Sequence, residues 1–170
     1  MIYPIVKLGE PVLEKAAEPI SEFDEGLKKL VEDMFESMYE AHGVGLAAPQ
    51  IGIGKRIAVV DVTFREDPKA KLVLINPEII FTEGRITSQE GCLSLPDFRE
   101  KVTRARKVTV KAQDIKGKWF ESTGEDLLAR AFLHETDHLN GKLYISHVSP
   151  LKRDLIKRKV KKLMKAGEWF

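Results

Sequence analysis

The chain has 170 residues, of which 43% are hydrophobic and 32% charged, enough apolar material for one buried core under a polar surface. No apolar run approaches the roughly 20 residues of a membrane-spanning helix, and Lys7 and Glu10 break the short apolar start, which argues against a membrane protein or a secretory signal and for the cytoplasm. The one cysteine, Cys92, excludes an intrachain disulfide, and the net charge of +2 is uneven, with eight Lys/Arg against two acids from Leu151 onward.

Residues 1–20 carry Pro4, Pro11 and Pro19 and read as an extended lead-in. A helix is predicted from about Asp24 to His42, with Leu27, Val31, Met34 and Met38 on one stripe and Gly43 as its stop. "GVGLAAPQIG" (43–52) is apolar but irregular, a buried turn leading into a strand over 56–62. Residues 71–77 and 78–88 read as two strands, 90–97 as a loop, and 107–114 with 118–123 as a hairpin turning at Lys116-Gly117. A second helix is expected from about Glu125 to Leu139. A third, over about 150–165, starts at Ser149-Pro150 and carries the basic tail. With no repeat and no linker, residues 1–170 read as a single α+β domain. Only five amides (Asn76, Asn140, Gln50, Gln89, Gln113) in so charged a chain suit a heat-adapted protein.

"HETDH" (134–138) carries the chemistry. Residues four apart share a helix face, so His134 and His138 can hold one metal ion. Glu135, about 100° round, is placed to act as base on a water activated there. A catalytic site needs a third ligand. Tyr144 stands where a metzincin has its third histidine, and Glu168 is too near the end to serve as in thermolysin-like proteases. His147 and Cys92 stay open, with thiolate chemistry favouring Cys92.

"GVGLAAPQ" (43–50), "EGCLS" (90–94) and "HETDHL" (134–139) together resemble the three motifs of the peptide deformylase family, in order and spacing. The resemblance implies antiparallel β-sheets packed around a central metal-binding helix, and removal of the N-formyl group from the N-terminal methionine of new polypeptides. It implies Cys92, His134 and His138 as metal ligands, Glu135 as catalytic acid/base, and the Gln50 side chain and Leu93 N–H as oxyanion donors. It favours Fe²⁺, with Zn²⁺, Ni²⁺ or Co²⁺ as alternatives. In that picture Gly43, Val44 and Gly45 meet the peptide backbone, while Leu127 and Ala131, seven and three positions before His134, line a methionine pocket. Glu90 and Asp137 are candidates to orient a histidine ring or pair with Arg104. The basic C-terminal helix suggests a contact with the ribosome. Leu133 departs from the family's usual glutamine, with an effect expected on packing. A zinc endoprotease is the rival reading, and a binding module with a structural metal is the other.

Overall fold

A computed structural model describes residues 1–169. Helix α1 (Glu25–Glu40) begins at Asp24, whose carboxylate accepts from the Leu27 N–H at 2.9 Å. Strands β1 (Gly45–Ala47), β2 (Ile57–Val60), β3 (Leu72–Glu83), β6 (Lys107–Gln113) and β7 (Trp119–Glu125) form an antiparallel sheet in the order β1-β2-β3-β6-β7. β4 (Ile86–Cys92) and β5 (Leu95–Arg104) form a separate antiparallel hairpin. Helices α2 (Leu127–Leu139) and α3 (Pro150–Lys165) follow. The fold is α+β with antiparallel sheets.

Alternation along β2 explains the layering. Ile57 and Val59 pack with Met34 and Met38 of α1, while Ala58 and Val60 pack with Ala129, Ala131 and Phe132 of α2. Helices therefore cover both faces of the larger sheet, and β2 reads as a continuous apolar run. A third cluster joins Leu95 and Val102 of the hairpin to Leu13, Tyr144 and Ile145, with Ile156 and Val160 of α3.

Several boundaries differ from the sequence reading. Residues 71–88 hold one long strand through Asn76-Pro77, not a break, and then the start of β4. The ladder absorbs Pro77 by a register shift between Ile75 and Glu78. Residues 90–97 are not a loop: Cys92 ends β4 and pairs with Leu95, leaving only Leu93-Ser94 as the turn. Within 43–52, Gly45–Ala47 is a short strand beside β2. Glu125 ends β7, so α2 starts two residues later than expected, after Asp126 at a positive φ of 54°. At its other end Gly141 turns the chain at φ 77°, and a Cβ there would lie 2.8 Å from the Lys15 backbone. Leu133 packs against the sheet core. No helix among the described residues is long and apolar enough to cross a membrane.

Candidate metal and active site

Three separated segments converge on one cavity of about 570 Å³. The segment after α1 brings Gly43, Val44, Gly45 and Gln50, the end of the hairpin brings Cys92 and Leu93, and α2 brings Leu127, Ala131, His134 and Glu135. His138 is fully buried behind them. Leu127 is 51% exposed and stands at the rim, whereas Ala131 is buried.

The Cys92 sulfur and one ring nitrogen each of His134 and His138 lie within 4.8 Å of one another. His138 Nε2 is 3.3 Å from Cys92 Sγ and 3.2 Å from His134 Nε2. His147, the other candidate, hydrogen-bonds Asp137 at 2.8 Å instead. Tyr144 stacks on the His134 ring, at 6.4 Å and 20°.

Glu90 orders this cluster. Its Oε1 accepts from Arg104 Nε (3.1 Å) and Arg130 Nη1 (2.7 Å), and its Oε2 from Arg104 Nη2 (2.7 Å). Oε2 also meets His134 Nδ1 at 2.7 Å. Arg104 reaches on to Asp137 at 2.8 Å. Burial alone would raise the Glu90 carboxyl, but hydrogen bonds from His134 and Arg104 hold it well below the usual range, so it is ionised. An ionised Glu90 accepts a hydrogen bond from His134 Nδ1, so Nε2 is the ring nitrogen that faces the other two donors.

Those donors fit a divalent cation. Burial opposes charge on His134, yet Glu135, Cys92 and Glu90 together push its proton affinity well above the ordinary histidine value. A pocket that so favours positive charge is one that a metal ion satisfies, at the cost of that proton. His138 goes the other way, held neutral by burial and by His134 beside it, which suits a nitrogen ligand.

Glu135 is buried and its Oε1 has no hydrogen-bond partner among the described residues. Burial pushes its carboxyl up to about 7, and a cation alongside would oppose that shift. Gly45 makes room for it: a Cβ there would overlap Glu135 Oε2 and sit 3.0 Å from its carboxyl carbon. Gln50 Oε1 accepts from the Ala47 N–H at 3.0 Å. That turns the amide Nε2 toward Ser94 Oγ (3.3 Å) and Cys92 Sγ (3.6 Å), on the cavity side.

The model of the polypeptide deformylase family matches residues 2–154. A peptide deformylase of Acidobacterium capsulatum is 63% identical over 169 residues, covering 99% of each chain. The crystal structure of a peptide deformylase from Legionella pneumophila superposes with a TM-score of 0.90 at 48% identity, covering 98% of each chain. That from Thermus thermophilus gives 0.86 at 41% identity, covering 95% of this chain and 94% of the other.

The chain belongs to the peptide deformylase family. It is a deformylase, a hydrolase, and nothing in these likenesses favours an endoprotease. The sequence reading of this deformylase overlooked Arg130, although a signal was present. Arg130, His134 and His138 recur every four residues on one helix face, and an arginine on a face that must be buried demands a buried acid. His42 and Arg99, which also line the cavity, carried no such signal.

Proposed function

We propose that this deformylase removes the N-formyl group from the N-terminal methionine of new polypeptides through Glu135, Gln50 and Leu93, beside a divalent metal held by Cys92, His134 and His138. The observation that carries this reading is the cluster of three metal-donor atoms beside a cavity lined by Glu135, whose buried Oε1 has no hydrogen-bond partner among the described residues. A metal there would supply Lewis acidity and lower the pKa of a water molecule. Glu135 takes the proton from that water as it attacks the formyl carbon, then returns it to the leaving nitrogen, so that formate and a free amine result. The Gln50 amide and the Leu93 N–H donate to the developing oxyanion, each worth roughly 3 kcal/mol.

β1 is an edge strand bordering the cavity, and the peptide backbone runs along its first residue, Gly45, and along Gly43 and Val44 just before it. Ala131 and, at the rim, Leu127 meet the methionine side chain. Fe²⁺ is the native ion in this reading, with Zn²⁺, Ni²⁺ or Co²⁺ as substitutes. Residues 1–170 act as one catalytic domain around α2 as the central metal-binding helix, in the cytoplasm, with α3 touching the ribosome.

Formate release from formyl-Met-Ala-Ser by anaerobically prepared protein tests the reading, with casein as control. Wild type releases formate and leaves casein intact. Glu135→Ala keeps one metal per chain but loses turnover by at least about 100-fold. A near-normal rate in that variant ends the assignment of Glu135. Activity of the protein as isolated that is lost in air but preserved anaerobically, or with nickel, supports iron as the native ion.

A further inference from the structure

The two parts that supply the donor cluster are built separately. α2 carries both histidines and the β4–β5 hairpin ends in Cys92. Arg130 crosses from one to the other. It lies one turn before His134, and only 7% of it is exposed. Its Nη1 donates to Glu90 Oε1 at 2.7 Å, and its Nη2 to the carbonyl oxygens of Ile86 on β4 and Val102 on β5, both at 3.1 Å. One planar fork thus grips both strands of the hairpin and the carboxylate that orients His134.

We propose that Arg130 is a positioning residue that sets the distance between Cys92 and the two-histidine face of α2; this rests on the metal reading above. Glu90 lies two residues before Cys92 on the same strand, so any slide of the hairpin along α2 moves the sulfur and the carboxylate together. Arg104 also ties the two together, but it sits on β5 and reaches α2 through the single side chain of Asp137, 2.8 Å away. Arg130 is anchored in α2, and its three acceptors lie on β4 and β5. A lysine ammonium carries the charge but cannot reproduce the fixed fork that reaches all three.

Cobalt binding separates this role from simple packing. Arg130→Met keeps the apolar stem along the cavity and removes the donors, and Arg130→Lys restores the charge alone. Co²⁺ titration of each folded protein, read by the sulfur-to-cobalt charge-transfer band, is the measurement. Arg130→Met is expected to bind Co²⁺ about 10- to 100-fold more weakly, with that band shifted or weakened, and Arg130→Lys to recover part of both. Wild-type affinity and spectrum in Arg130→Met overturn the proposal. If Arg130→Met does not fold, Arg130→Lys decides alone: weaker binding with an altered band supports the proposal, and a wild-type titration overturns it. A wild-type chain that takes up no Co²⁺ overturns the metal reading and the proposal with it. Normal wild-type uptake with unaltered variants overturns the role of Arg130 only.

Discussion

Gly45 and Glu135 share one small space, and the consequence is a testable division between folding and turnover. A methyl group at position 45 must displace the Glu135 carboxylate, which is the far end of a flexible side chain. Gly45→Ala is therefore expected to keep the fold and lower kcat by about 100-fold, the scale of an ångström's misplacement of a catalytic group. Circular dichroism and formate release together check this. A normal kcat would show that Glu135 has room to spare. At this scale the sequence was legible where a pattern encodes chemistry: two histidines four apart with a glutamate between need no partner to be noticed. Gln50 and Leu93 were reached only through family resemblance. Nothing in their local spacing says that an amide orients itself on Ala47 or that a leucine lends its backbone.

Among the elements, the helices announced themselves and the hairpin did not. α1 and α3 carry side-chain caps at Asp24 and Ser149, and the stripe of α1 matches its buried face. Beyond the buried Leu95, β5 alternates as a strand should, but its more buried positions there are Pro96, Phe98, Glu100, Val102 and Arg104. Charge on the inward face hides the period of two, and Arg104 is tolerated there only because Glu90 and Asp137 neutralise it. Part of the charge on the basic helix is already engaged. Arg153 donates to the carbonyls of Ile145, Ser146 and Val148, and Lys152 lies 3.4 Å from Glu100. Lys157, Arg158, Lys159, Lys161, Lys162 and Lys165 make no side-chain hydrogen bond or ion pair among the described residues. Ribosome contact is therefore best tested by Lys157→Glu with Arg158→Glu and Lys161→Glu, which spares the buried Ile156 and Val160. Pelleting with ribosomes is expected to fall at low salt while formate release from a tripeptide is unchanged. Unchanged pelleting ends the ribosome reading.

For the whole molecule, acid is the vulnerable side. Asp61 is buried between α1 and the turn after β2, accepting from the Tyr39 hydroxyl, the Thr63 hydroxyl and the Thr63 and Arg65 N–H groups. Burial would raise its pKa, but those hydrogen bonds bring it from 3.8 down to about 2. The unfolded chain therefore binds the proton first, so the stability due to Asp61 is complete above about pH 4 and is lost as pH falls toward 2. Asp61→Asn should lower stability at neutral pH and flatten its fall between pH 4 and 2, as denaturant midpoints across that range would show. A slope equal to wild type would place the acid lability elsewhere.

Cys92 is the chain's one cysteine, and it stands at the cavity rather than in the core. Oxidation of its sulfur to a sulfenic acid finds no second thiol in the chain with which to close a disulfide. Such damage removes one of the three donors and waits on a thiol from outside the molecule, or proceeds to acids that no thiol reverses. On the metal reading, the exposure that lets the sulfur serve at the cavity also leaves it open to oxidation.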